Sequence, residues 1–87
     1  MTRDAPYYVN GYMTADPRAY VRVAVWLLAQ IEYGALKPGD PVPSADEIAA
    51  RYGVSRQTCA KGLRMLERDG VLFRVPGHRY HVVPDQS

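Results

Sequence analysis

The tetrapeptide Tyr52-Gly53-Val54-Ser55 constrains this chain more than any other feature. It separates two segments that both read as short helices. A turn of three to four residues containing glycine sets two helices at the steep angle from which the second projects off the body. On the upstream side, Ser44-Ala45-Asp46-Glu47 has the form of a capping box. The Ser44 side chain accepts from the amide of Glu47, and the Glu47 carboxylate reaches back to the amide of Ser44. The helix so started runs to about Tyr52, burying Ile48, Ala49 and, at its edge, Tyr52. Gly53 stops it, and Val54 plugs the turn. On the downstream side Ser55 caps a further helix that runs to Asp69, where Gly70 ends it. Cys59, Leu63 and Leu66 recur at steps of four and three, with Gly62 beside them, and define an inner face. Arg56, Gln57, Ala60, Lys61 and Arg64 fall opposite, with Arg68 further along.

The flanks complete an α+β pattern. Residues 1–15 hold Tyr7, Tyr8 and Tyr12 without a clear period and read as an irregular arm. Asp16-Pro17 is a helix start, with Asp as cap and Pro at the first helical position. From there to about Tyr33, the residues Tyr20, Ala24, Leu27, Leu28 and Ile31 line one stripe, widened by Val23 and Trp26. Gly34 and Pro38-Gly39 mark the following loop, and Pro41-Val42-Pro43 reads as a short edge strand. After Gly70 the period changes. Val71–Val75 and Tyr80–Val83 are β-rich runs flanking Pro76-Gly77-His78-Arg79, which predicts a hairpin with a four-residue turn. The expected architecture is one winged helix-turn-helix domain over residues 16–84: three helices and a small antiparallel sheet whose hairpin is the wing. Residues 85–87 form a tail.

Charge distribution points to a polyanion. The formal net charge is only +2. Residues 51–79, however, hold seven Lys and Arg against Glu67 and Asp69, whereas residues 1–50 hold four against six carboxylates. The cationic half includes the exposed face of the helix after Ser55. Its first turn carries Arg56 and Gln57, the side chains that read guanine and adenine edges bidentately in the major groove. The start of that helix, with Ser55, can also donate to a phosphate.

With these residues in place the sequence resembles the N-terminal DNA-binding domain of GntR-type transcriptional regulators. The resemblance runs from about Tyr20 to Val83. It rests on Ile31, Gly34, Leu36, Pro38-Gly39-Asp40, Pro43-Ser44, Glu47-Ile48-Ala49, Tyr52-Gly53-Val54-Ser55-Arg56, Thr58, Leu63, Leu66, Asp69-Gly70-Val71 and Gly77. It implies that Ser55, Arg56 and Gln57 contact DNA in the major groove and that Gly77 lies where the wing meets the minor groove. The candidate DNA-contacting set is Ser44, Ser55, Arg56, Gln57, Thr58, Lys61, Arg64, Gly77, His78 and Arg79. Three positions depart from the family pattern. Asp46 and Ala60 stand where arginines are usual, and Arg79 replaces the second glycine of the wing's Gly-x-Gly. Lys61 and Arg64 lie where they can partly compensate. The family's C-terminal effector-binding and dimerisation domain has no counterpart before Ser87, so no small-molecule effector domain is expected.

Other chemistries find little support. Cys59 is the only cysteine, which excludes an intrachain disulfide and a cysteine-rich zinc site. It reads as an inert core thiol. His78 and His81 lack a third ligand, so no metal is expected, and no cofactor is expected either. The run Tyr20–Ile31 is shorter than the ~20 residues that span a bilayer, and Met1-Thr2-Arg3-Asp4 does not begin a signal peptide, so the expected location is the cytoplasm. There is no catalytic triad, carboxylate pair or phosphate-cradling glycine loop, and no enzyme is expected. The leading expectation is a sequence-specific regulator of transcription, a repressor, binding double-stranded DNA. One module makes few base contacts, each supplying ~1–3 kcal/mol of discrimination, so a homodimer on a two-fold operator is expected, joined through the arm and first helix. The rival is a winged helix that has lost DNA binding and docks a protein, a reading that Asp46 and Ala60 keep in view.

Overall fold

The computed structural model describes residues 18–84, together with the backbone of Tyr8–Val9 and Tyr12–Met13. The described residues form three helices and two antiparallel strand pairs: β1 (Tyr8–Val9), β2 (Tyr12–Met13), α1 (Ala19–Glu32), α2 (Ala45–Tyr52), α3 (Arg56–Arg68), β3 (Leu72–Arg74) and β4 (Tyr80–Val82). This is the expected winged helix-turn-helix. Among the described residues no helix is long and apolar enough to cross a membrane.

The helix ends follow their cap chemistry. At α2 both arms of the box form: the Ser44 amide donates to Glu47 Oε1 at 2.8 Å, and the Glu47 amide donates to Ser44 Oγ at 3.2 Å. Gly53 closes α2 with φ of 68°, a left-handed backbone that few residues other than glycine adopt readily. Ser55 Oγ then accepts from the Thr58 amide at 3.1 Å to start α3. The start of α1 differs from expectation. Asp16-Pro17 lies outside the described residues, and the helix begins at Ala19 behind Arg18, whose backbone is extended and whose side chain makes no cap bond. The first three helical positions carry Ala19, Tyr20 and Val21, with no acidic residue in the first turn.

One core joins the elements. Val23, Ala24, Leu27 and Leu28 of α1 meet Ile48 of α2, Cys59, Leu63 and Leu66 of α3, and Leu72 and Val82 of the wing. Val42, fully buried, enters from the segment before α2. The inner face read from the sequence of α3 is the buried one, Cys59, Gly62, Leu63 and Leu66. Gly62 sits at the crossing with α1. A Cβ there would lie 2.8 Å from the Tyr20 carbonyl oxygen and 3.1 Å from Val23 Cγ1, so the two backbones approach only because the side chain is absent. Val21, which the stripe read from the sequence does not include, is also buried; it stands three and seven positions before Ala24 and Leu28, at the edge of that stripe. Each fully buried leucine contributes about 1.5–3 kcal/mol, so this interior outweighs surface pairs worth ~0–1 kcal/mol.

The wing is antiparallel, with Leu72 opposite Val82, Phe73 opposite His81 and Arg74 opposite Tyr80. Pro41 bridges to His81, and Val42 N–H donates to the Tyr80 carbonyl at 2.9 Å, so the expected short edge segment forms. The loop is one residue longer than expected, Val75–Arg79, because the strands pair only as far as Arg74 and Tyr80. His78 N–H donates to the Val75 carbonyl at 2.8 Å, and Gly77 has φ of 81°. Val75-Pro76-Gly77-His78 is thus the reversal, with Pro and Gly in the order a type II turn requires, and Arg79 lies beyond it. The arm also differs from its irregular reading. Tyr8 pairs with Met13 and Val9 with Tyr12 in a two-stranded ribbon against α1. Its sequence signal is the Asn10-Gly11 dipeptide between β-prone residues, a strong hairpin cue that the absence of a longer period obscured.

Candidate nucleic-acid interface

The exposed beginning of α3 is the centre of the site. Its first helical residue is Arg56, followed by Gln57, and both are exposed. Ser55 does not present a free hydroxyl: its Oγ accepts from the Thr58 amide and donates to Thr58 Oγ1 at 2.8 Å. Ser55 and Thr58 therefore set the angle and start of the helix, while Arg56 and Gln57 are the groups that project. The first turn of α3 contains no acidic residue. The carboxylate near Arg56 comes instead from α2, where Asp46 Oδ1 lies 2.7 Å from Arg56 Nε.

Beside this turn runs an open groove between the starts of α2 and α3 and the wing. Arg56, Arg64, Arg74, His78 and Arg79 line it, with Ser44 at its α2 end. Asp46 is the one carboxylate residue in the lining. Arg79, the residue before β4, reaches towards α2. Its Nη1 lies 3.1 Å from Glu47 Oε1 and 3.5 Å from the Val42 carbonyl oxygen. The hydrogen bond from the Ser44 amide, and then the charge of Arg79, hold the Glu47 carboxyl below its ordinary range near 4.5. The same carboxylate thus caps a helix and ties down the wing. A second tie is made by β4, where the Tyr80 hydroxyl donates to Glu67 Oε1 at 3.0 Å. Burial and the Glu67 carboxylate together push the Tyr80 phenol upward, so it remains a donor.

The structure sorts the residues singled out in the sequence. It gathers Ser44, Arg56, Arg64, His78 and Arg79 along one groove. Gln57 stands at the exposed start of α3 and Gly77 at the wing turn, outside that groove. Lys61 is elsewhere: its Nζ lies 4.1 Å from the centre of the Tyr20 ring, over α1, which spends its charge on an aromatic face. Arg74 lines the groove too and also rests over the Tyr80 ring at 5.7 Å. Strand alternation carried that signal, because Arg74 is two residues from the buried Leu72 and shares its face. Arg68 pairs with Asp69 at 3.1 Å, and Arg51 lies over Tyr52, both as surface groups. Cys59 is fully buried, and desolvation pushes its thiol upward, away from the reactive thiolate. His81 Nδ1 lies 3.1 Å from the Gly39 carbonyl oxygen while its ring stacks on Phe73.

Residues 19–82 match the bacterial regulatory proteins of the gntR family. The histidine utilization repressor of Pseudomonas aeruginosa is 41% identical over 58 residues, covering 67% of this chain and 23% of its own length. The transcriptional repressor NagR of Bacillus subtilis is 38% identical over 58 residues, covering 67% of this chain and 24% of its own length. The chain thus spans about a quarter of these curated relatives. Among solved structures, the DNA-binding domain of AraR in complex with operator ORR3 superposes with a TM-score of 0.71 at 29% identity, covering 75% of this chain and 78% of that one.

Proposed function

This chain belongs to the gntR family of bacterial regulatory proteins, and from that premise we propose that it represses transcription by binding operator DNA. It acts in the cytoplasm, by binding and not by catalysis. The observation that carries this reading is the groove itself: four arginines and a histidine lie beside the exposed Arg56-Gln57 turn of α3, with the wing alongside. Arg56 and Gln57 supply base readout in the major groove, and Arg64, Arg74 and His78 supply phosphate contacts that fix the register. The AraR domain, similar in fold, is seen on operator DNA. Two copies on a two-fold operator double the few base contacts that one recognition helix makes, and the arm with α1 joins them. The protein-docking reading is not favoured, because the exposed groove is cationic where an interface core is depleted of charge.

Selection from a random pool of duplexes, followed by a salt titration on the selected site, tests the proposal. A recovered palindromic site, with log affinity falling by about 0.9 for each neutralised phosphate per decade of salt, is the expected result. Failure to enrich any site, with no duplex affinity at low salt, would overturn it. Sedimentation with and without the selected duplex tests the dimer, and a single protomer per full site would remove that part.

A further inference from the structure

Asp46 places a negative charge in a groove that must receive phosphates. From the geometry around it we propose that Asp46 is a positioning residue for base readout: it holds the Arg56 guanidinium by its Nε side and leaves the two terminal nitrogens to meet a guanine. The inference rests on the DNA-binding reading above and names a device within that site.

Three observations support it. The contact is made at Nε, with 2.7 Å between Nε and Asp46 Oδ1. A guanidinium has five donors in a fixed plane, so fixing the Nε side orients the terminal pair, which is the pair that spans guanine O6 and N7. Next, Arg56 is the first residue of α3, and that helix has no acid in its first turn. A cation at the positive end of a helix is electrostatically disfavoured. Asp46, from the first turn of α2, offsets both the cation and the end of the neighbouring helix. Finally, the pair is open to solvent, at 70% and 72% side-chain exposure. Such a pair adds little to the stability of the free fold. Once DNA covers it, water is excluded and the coupling strengthens, so its effect appears in the complex and not in folding.

The arrangement also acts against random sequence. Without Asp46, Arg56 is free to swing to any nearby phosphate. With Asp46 present, that swing breaks the pair and brings a carboxylate towards the DNA backbone. Asp46 thus lowers affinity for DNA in general and raises the preference for the site Arg56 reads. A purely structural acid at the start of α2 would affect both affinities together.

The test compares wild-type protein with Asp46→Ala, Asp46→Asn and the same changes in an Arg56→Ala background. The probes are the duplex that wild type selects from a random pool and a scrambled duplex of equal length. Asp46→Ala is expected to raise affinity for the scrambled duplex and steepen its salt slope by about 0.9, one added phosphate. The ratio of selected to scrambled affinity should fall about five- to tenfold, the lower end of what one bidentate base contact supplies. Asp46→Asn keeps the acceptor without the charge and should restore most of the ratio. In the Arg56→Ala background Asp46→Ala should leave the ratio unchanged. An equal fall in both affinities, or the same loss of ratio without Arg56, would overturn the positioning role while leaving DNA binding intact. Failure of wild type to select any duplex would remove the DNA-binding reading and this inference together. Without DNA, the Arg56 Nε–H resonance should move on Asp46→Ala while that of Arg79 stays in place; an unmoved Arg56 signal would show that the pair does not form.

Discussion

The two faces of α3 are built from the same thirteen residues and obey different rules. The inner face, Cys59, Gly62, Leu63 and Leu66, is buried and apolar, and its partners come from α1, α2 and the wing. The outer face, Arg56, Gln57 and Arg64, is exposed, and Arg56 in it pairs with a carboxylate on the neighbouring helix. The inner face determines whether the chain folds. The outer face determines what the folded chain holds, and it can be altered with little effect on folding. Leu66→Ala is the strongest way to challenge this division. Leu66 is fully buried where α3 meets the wing, so its truncation should destabilise the fold by about 2–5 kcal/mol in urea denaturation. A loss below ~1 kcal/mol would mean that the inner face is looser than its burial indicates.

Gly62→Ala probes the same face from the opposite direction. In an exposed helix this change gains about 1 kcal/mol. Here the new methyl would meet the Tyr20 carbonyl oxygen at 2.8 Å, and a backbone atom cannot yield as a side chain can. Overpacking costs about 1–3 kcal/mol and should exceed the gain in helix propensity, so the variant should melt at lower temperature than wild type. A higher melting temperature would show that α1 and α3 can slide apart at no cost.

Leu63 and Leu66 were legible because burial imposes a period, and the period is written in the segment itself. The caps at Ser44 and Ser55 were legible for the same reason, each bond spanning three residues. The partners of the outer face were not legible. Arg56 meets Asp46, Arg79 meets Glu47 and Lys61 meets Tyr20, across 10, 32 and 41 positions in the chain. Such pairs depend on how α2, the wing and α1 are docked, and no local pattern encodes them. Arg79 is the clearest case. From its place in the wing loop it reads as a phosphate contact, and the structure brings its side chain to Glu47 at the start of α2.

Arg56→Ala sharpens the contrast, because its effect should be large on binding and small on folding. Losing a bidentate contact to guanine costs about 1–3 kcal/mol in affinity for the selected duplex. The ion pair with Asp46 is too exposed for its removal to change stability by more than ~0.5 kcal/mol. Parallel denaturation and duplex titration of the one variant measure both quantities. Comparable losses in the two would place Arg56 on the folding side of the division.

Glu47 is the group on which the two sides meet, and acid should separate its roles. It closes the capping box of α2, which serves the fold, and it holds Arg79, which sets the wing beside the groove. Both partners favour the carboxylate, so the folded state holds the Glu47 proton less tightly than the unfolded chain, whose value is near 4.5. The stabilisation is fully present above that value and disappears as pH falls through the lower value of the folded state. Glu47→Gln keeps an acceptor for the Ser44 amide and removes the charge facing Arg79. Denaturation curves collected from pH 6 down to about pH 3 should therefore fall less steeply for Glu47→Gln than for wild type, although the variant starts from lower stability at neutral pH. Because Glu47 is exposed, this difference is expected to be the smallest of the set, and added salt should shrink it further. Parallel curves for the two proteins would mean that neither the Ser44 amide nor Arg79 favours the Glu47 carboxylate in solution, and the wing would then be positioned by the Tyr80–Glu67 hydrogen bond and the buried Leu72 and Val82.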